Sequence, residues 1–173
     1  MISTKLKNVI RDIPDFPKPG IVFKDITPIL KDAKLCSEII EAFVSRMDTD
    51  AIDVIAGIES RGFLFGMPMA LQLGVPFAPA RKAGKLPCRT EREPYDLEYR
   101  NDVLEMHTDA IRAGAHVLVV DDVFATGGTA AAACRLVERL GGKVTGVSVL
   151  VELAFLQGRA RMSDHDLHAI VTF

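Results

Sequence analysis

The stretch His-Val-Leu-Val-Val-Asp-Asp-Val-Phe-Ala-Thr-Gly-Gly-Thr, residues 116–129, decides the fold. Its unbroken, valine-rich apolar start predicts a strand that is buried on both faces, as in a parallel sheet. Two adjacent carboxylates follow, then a Thr-Gly-Gly-Thr turn and a helical stretch over residues 130–140. The segment therefore predicts a strand–loop–helix unit whose polar residues lie at the carboxyl end of the strand, where open α/β sheets bind their ligands.

The turn has the composition of an anion site, because amide groups converge at a helix N-terminus and the helix dipole favours negative charge. Asp121 and Asp122 cannot bind the same anion, since like charges repel, but they suit vicinal hydroxyls. The combination predicts a ribose phosphate as ligand.

Other motifs fit this segment less well. A Walker A loop would need a lysine before its Ser/Thr, and a Rossmann fingerprint would need a third glycine. A capping aspartate would lie next to the helix, whereas both acids precede it by a full loop.

Composition limits the classes of protein. A chain of 173 residues predicts a single domain, residues 1–173. The net charge of −2, with no basic stripe and no tryptophan, argues against nucleic acid as a partner. We find no signal peptide and no apolar run of membrane-spanning length, so no membrane partner is expected. Three cysteines without metal-like spacing favour reduced thiols in the cytoplasm.

Hydrophobic periodicity predicts strands that alternate with helices. The predicted strands are residues 53–58, 75–80, 116–120 and 144–153, and the helices are residues 34–47, 63–73 and 130–140. Residues 81–95 are basic and show no periodicity, which predicts a long loop. Residues 95–99 and 103–107 could pair as a hairpin across residues 100–102. The predicted class is α/β, with a parallel sheet flanked by helices.

Residues 121–129 resemble the 5-phosphoribosyl-1-pyrophosphate (PRPP) signature of the type I phosphoribosyltransferases. Three further segments resemble the adenine phosphoribosyltransferase family in particular: residues 16–25, residues 60–66, and residues 81–87 together with 95–99. The resemblance covers about residues 16–159. It departs at Val123 and Phe124, where leucines are more usual, and at Lys24, where arginine is frequent. It implies the type I fold, with a mobile lid loop or hairpin and a small N-terminal hood that binds the base.

By that resemblance the chain transfers the phosphoribosyl group of PRPP to adenine, giving AMP and pyrophosphate. The implied ribose-phosphate residues are Asp121, Asp122, Ala125, Thr126, Gly127, Gly128 and Thr129. The implied pyrophosphate residues are Ser60, Arg61, Gly62, Arg81, Lys82 and Lys85. Adenine would contact Val22, Phe23, Lys24 and Leu153, while Glu98 and Tyr99 are the nearest to catalytic side chains.

The resemblance also implies Mg²⁺ as cofactor and a homodimer. No cluster of His, Cys, Asp or Glu has metal-ligand spacing, so we expect no protein metal site and a Mg²⁺ held mainly by substrate and water. Two other functions stay open. A transferase for hypoxanthine, guanine, xanthine or a pyrimidine is one, although the 6-oxopurine enzymes typically carry an acid where this chain has Ala125. A non-catalytic PRPP sensor is the other, although the chain keeps Lys85 and Glu98.

Overall fold

The structure, a computed structural model, describes residues 1–97 and 100–173. Its helices and strands, in chain order, are α1 (Ile2–Val9), β1 (Arg11–Pro14), β2 (Val22–Asp25), α2 (Ala33–Val44), β3 (Val54–Ile58), α3 (Gly62–Leu73), β4 (Phe77–Lys82), β5 (Thr90–Leu97), β6 (Arg100–His107), β7 (His116–Phe124), α4 (Gly128–Arg139), β8 (Lys143–Glu152) and β9 (Leu167–Thr172). Short 3₁₀ turns lie between several of them. None of the described helices is long and apolar enough to span a bilayer.

The main sheet has seven strands in the order β5-β6-β4-β3-β7-β8-β9. Strands β4, β3, β7, β8 and β9 run parallel, while β5 and β6 form an antiparallel hairpin along one edge. Strands β1 and β2 form a separate antiparallel pair, which we call the hood. The predicted α/β class with a mainly parallel sheet is confirmed.

Strand β7 lies in the middle of the five parallel strands because its first side chains are apolar on both faces. Val119 packs into the hydrophobic cluster that α4 covers, whereas Leu118 and Val120 pack into the cluster that α2 and α3 cover. Val120 pairs in register with Gly57 of β3. This register brings the ends of β3 and β7 together, so the residues that follow each strand meet at one edge of the sheet.

The loop predicted over residues 81–95 is shorter in the structure. Strand β4 continues to Lys82 and β5 begins at Thr90, so the loop covers residues 83–89. Strands β5 and β6 form an antiparallel hairpin, as predicted, but β6 begins at Arg100, three residues earlier than predicted, and Arg100 pairs with Leu97. Strand β5 carries no apolar alternation because its Glu93 pairs with two arginines of α4 instead. A proline within it is tolerated because β5 is an edge strand.

Candidate active site

A cleft of about 590 Å³ opens at the carboxyl ends of β3, β4 and β7. Seven of the predicted site residues line it: Ser60, Arg61, Lys82, Lys85, Asp121, Asp122 and Thr129. Glu59, Tyr95 and Val123, which were not predicted as site residues, complete the lining. Residues from three distant parts of the sequence thus meet because three parallel strands end at the same edge of the sheet.

The acid pair lies at the floor of the cleft. Burial raises the pKa of Asp121 well above its usual range, and the adjacent Asp122 carboxylate raises it further. Burial also raises the pKa of Asp122, although the Arg61 guanidinium opposes that effect. Arg61 Nε lies 2.7 Å from Asp122 Oδ2, but the angle does not make a hydrogen bond, so this buried oxygen has no donor within the described part of the chain. Such an oxygen is suited to accept from a ligand hydroxyl.

Gly62 is needed beside this pair. A Cβ on Gly62 would lie 2.8 Å from the carbonyl oxygen of Val120 and 3.0 Å from Asp121 Oδ1. Both distances are shorter than carbon and oxygen tolerate without a shift. The predicted Ser60-Arg61-Gly62 turn can therefore approach β7 closely only because its third residue has no side chain.

Residues 125–129, which we call the anion loop, enclose a smaller cavity of about 70 Å³ at the start of α4. Gly127 is the residue before the helix and has φ = 83°, a left-handed conformation that favours glycine. All five predicted ribose-phosphate residues of the loop line this cavity. The loop thus places main-chain groups at the positive end of the α4 dipole, as an anion requires.

The predicted cations are gathered by a buried acid that sequence reasoning missed. Glu59, whose side chain is only 6% exposed, pairs with Arg81 Nε at 3.1 Å and with Lys85 Nζ. It also accepts a hydrogen bond from the backbone N–H of Lys82 at 3.0 Å. Burial alone would raise the pKa of Glu59, but these hydrogen bonds outweigh it and hold the pKa below its usual range. Glu59 therefore fixes the side chains of Arg81 and Lys85 and the backbone of Lys82. Lys82 and Lys85 line the cleft, whereas Arg81 is not among its lining residues. The signal for Glu59 was its position directly before the Ser-Arg-Gly turn.

A second buried acid, Glu105 of β6, holds the loop that carries Lys85. Its carboxylate accepts from the backbone N–H groups of Lys85 and Leu86, both at 3.1 Å. It also accepts from Thr90 Oγ1 at 3.3 Å and Arg92 Nε at 3.2 Å. No local signal marks this residue, because its partners are 13 to 20 positions away in sequence.

The predicted base-binding residues fall on two elements. Val22, Phe23 and Lys24 lie on the hood, and Leu153 directly follows β8. The Arg61 guanidinium lies 5.2 Å from the centre of the Phe23 ring, which connects the hood to the cleft. Leu153 donates its N–H to the carbonyl oxygen of Phe124, the residue before the anion loop, at 2.9 Å.

The side chain of Lys24 is engaged outside the cleft. Its ammonium group pairs with Asp12 at 2.6 Å and lies 4.0 Å from the centre of the Phe173 ring. The side chain thus ties the hood to the last residue of the chain. A contact of Lys24 with a base would have to use its main chain or its aliphatic stem.

Glu98 and Tyr99 lie outside the described residues. Within residues 1–97 and 100–173, no group of three or more His, Cys, Asp or Glu side chains could hold a metal ion. Asp122 Oδ2, which lacks a hydrogen-bond donor among those residues, and the neighbouring Asp121 offer carboxylate oxygens, the ligand type that Mg²⁺ prefers. This donor set fits a cation that arrives with a phosphorylated substrate and keeps most of its other ligands.

Residues 25–173 match the family of the phosphoribosyl transferase domain, the class of protein that this sheet, acid pair and anion loop define. The chain is 51% identical over 171 residues to the adenine phosphoribosyltransferase of Thermobifida fusca, covering 99% of this chain and 97% of that one. The adenine phosphoribosyltransferase structure from Thermoanaerobacter pseudethanolicus superposes with a TM-score of 0.96 at 49% identity, over the full length of both chains.

The adenine phosphoribosyltransferase structure from Saccharomyces cerevisiae gives a TM-score of 0.93 at 42% identity and covers 98% of both chains. That yeast structure contains adenine together with an imino-altritol bisphosphate. The chain belongs to the adenine phosphoribosyltransferase family.

Proposed function

We propose that the protein transfers the 5-phosphoribosyl group from PRPP to adenine and releases AMP and pyrophosphate, as a purine salvage enzyme formed by one domain, residues 1–173. The observation that carries this proposal is the cleft, which combines a hydroxyl-binding acid pair, an anion loop and a fixed group of cations. These three features match the hydroxyls, the 5′-phosphate and the pyrophosphate of PRPP. The names of the relatives and the adenine in the yeast structure supply the base.

In this reaction N9 of adenine forms a bond to C1′ of the ribose, the bond from C1′ to the pyrophosphate oxygen breaks on the opposite face, and the imidazole proton of adenine is released. Asp121 and Asp122 hold the 2′ and 3′ hydroxyls, and the anion loop holds the 5′-phosphate. Arg61, Lys82 and Lys85 stabilise the charge that grows on the leaving pyrophosphate. Mg²⁺, when bound with the pyrophosphate, neutralises part of the same charge. Val22, Phe23, Lys24 and Leu153 are assigned to adenine, with Phe23 placed beside the cleft through its contact with Arg61.

The experiment is to incubate the protein with PRPP, adenine and Mg²⁺ and to identify the products by chromatography. We expect AMP and pyrophosphate in equal amounts, and no product when a chelator removes the metal. A folded protein that forms no AMP would refute the proposed function.

We assign catalysis to Glu98 and Tyr99 by the family pattern alone. Replacing Glu98 by Leu should lower kcat by about a hundredfold or more, since a positioned general acid or base contributes that much. The melting temperature should change little. The matched control is Glu91→Leu, which removes a carboxylate of β5 that does not line the cleft. Equal losses of kcat in both variants would place the catalytic group elsewhere.

We also propose a homodimer. The outer face of α3 carries three exposed apolar side chains on one stripe, Leu64 and Met67 at 43% exposure and Leu71 at 70%. Exposed apolar patches of this kind mark interaction surfaces, and a second copy of the chain is the partner that we infer. Light scattering should give twice the monomer mass, and Leu71→Glu should shift the mass towards the monomer. A monomeric wild-type protein at micromolar concentration would contradict the proposal.

The proposed compartment is the cytoplasm. Cys36, Cys88 and Cys134 are free thiols, which a reducing compartment preserves. Fractionation of cells that produce the protein should recover it with the cytoplasmic fraction, and recovery with the envelope would contradict this assignment.

A further inference from the structure

The anion loop is supported from outside the cleft by Gly158. A Cβ on Gly158 would overlap the carbonyl oxygen of Ala125 and would lie 2.9 Å from the carbonyl carbon of Thr126. Conversely, a Cβ on Gly127 would lie 2.7 Å from the carbonyl oxygen of Gly158. Two backbone segments therefore touch directly, with glycine on both sides of the contact. The loop cannot move outward without displacing Gly158.

Gly158 is held in place by the next residue. Arg159 forms a two-pronged ion pair with Glu152, with Nε–Oε1 at 2.6 Å and Nη2–Oε2 at 2.8 Å. Its third nitrogen, Nη1, donates to the carbonyl oxygen of Leu167 at 3.2 Å. The fixed geometry of such a fork makes it a positional constraint as well as an ion pair. Arg159 thus ties the 3₁₀ segment that carries Gly158 to the ends of β8 and β9.

The acid of this pair belongs to the rigid part of the sheet. Glu152 is the last residue of β8, its side chain is only 6% exposed, and it pairs in register with Phe124 of β7. Phe124 directly precedes the anion loop. The contacts therefore form a closed path from β7 through Glu152, Arg159 and Gly158 back to the loop. A path of this kind fixes the loop at both its origin and its outer side.

We propose that Arg159 is a positioning residue that holds Gly158 against the anion loop, so that the loop amides stay aligned for the 5′-phosphate before substrate arrives. This role rests on the proposed function for its substrate. Arg159 does not touch substrate. Its contribution is to keep the donors of the phosphate site in the geometry that binding requires, without cost at the moment of binding.

The test compares Arg159→Gln and Arg159→Lys with the control Arg161→Gln, which removes an exposed charge from the same 3₁₀ segment. We expect the KM for PRPP to rise roughly tenfold or more in both Arg159 variants, because small displacements of binding groups have effects of this size. The KM for adenine should change less than twofold. Calorimetry with ribose 5-phosphate should show the same weakening without any turnover, and Arg159→Lys should not rescue it, because an ammonium group lacks the fork.

A structural role alone would lower the melting temperature and leave the KM for PRPP and the ribose 5-phosphate affinity unchanged, and this result overturns the proposal. Equal effects in the Arg161 control would overturn it as well. If the wild-type protein binds ribose 5-phosphate but forms no AMP, the proposed function fails while the calorimetric comparison still decides the role of Arg159. Wild-type protein that does not bind ribose 5-phosphate contradicts both. Gly158→Ala, if folded, should weaken PRPP binding at least as much as Arg159→Gln.

Discussion

Asp122→Ala is expected to bind PRPP far more weakly than the wild-type protein while remaining folded. Each charge-assisted hydrogen bond to a ribose hydroxyl contributes about 1.5–3 kcal/mol, so the loss of one bond should raise the Kd roughly 10- to 150-fold and the loss of two correspondingly more. Isothermal titration of PRPP in the presence of Mg²⁺ measures this directly. Asp109→Ala, which removes an exposed acid, is the control. Unchanged affinity in the folded Asp122 variant would refute the assignment of the acid pair.

Asp122→Ala should weaken PRPP binding but increase the stability of the fold at pH 7, and this gain in stability should depend on pH. Burial raises the pKa of both Asp121 and Asp122, so the folded protein binds protons more tightly here than the unfolded chain does. The ionised pair therefore destabilises the fold above its folded-state pKa values, and this cost disappears as the pH falls below about 3.8. Removing Asp122 relieves the cost at pH 7 and not at low pH. The melting temperature of Asp122→Ala should therefore exceed that of the wild-type protein at pH 7, and the difference should disappear below about pH 3.8.

The structure of residues 116–129 could be predicted from the sequence because the residues that determine it are close together in the chain. A buried strand, an acid pair and a glycine turn follow one another within fourteen residues. The acids and the anion loop lie at the sheet edge, as these signals predict, but β7 continues past the acids to Phe124 and α4 begins two residues earlier than predicted, at Gly128. Ser60 and Arg61 could be predicted for the same reason, since they lie two and three positions after the end of β3, at the sheet edge.

The residues that sequence reasoning missed act over long separations. Glu59 reaches 22 to 26 positions along the chain to the cations that it holds. Residues 90–94 of β5 were predicted as loop because charged pairs with α4 replace the apolar alternation that marks most strands. The packing of Gly158 on the anion loop depends on a contact between backbones, and no residue pattern encodes such a contact. The tertiary fold alone brings these groups together.

Adenine is expected to be used at least about a hundredfold more efficiently than hypoxanthine or guanine. Adenine has an amino donor at C6 and an acceptor at N1, whereas the 6-oxopurines have a carbonyl at C6 and a protonated N1. A site that reads the adenine edge leaves acceptors facing acceptors when a 6-oxopurine enters, and such unpaired groups discriminate by several powers of ten. Position 125, on the anion loop, also carries an alanine, whereas enzymes for 6-oxopurines typically have an acid there that takes part in proton transfer to the base.

Ala125→Asp distinguishes the effect of the edge-reading groups on the choice of base from the effect of the missing acid at position 125. The substitution adds an acid at the position typical of 6-oxopurine enzymes but leaves the edge-reading groups unchanged. We expect kcat/KM for hypoxanthine and guanine to stay well below the adenine value in this variant. A rise to the adenine level would show that the acid alone sets the choice of base.

The central claim is that this cleft joins the phosphoribosyl group of PRPP to adenine. The most direct test gives the wild-type protein PRPP, Mg²⁺ and equal concentrations of adenine, hypoxanthine and guanine, and then measures the nucleotides that form. The predicted result is AMP as the dominant product, with IMP and GMP lower by about two orders of magnitude. IMP or GMP formed as fast as AMP would contradict the assignment to adenine, and the absence of all three nucleotides would contradict phosphoribosyl transfer itself.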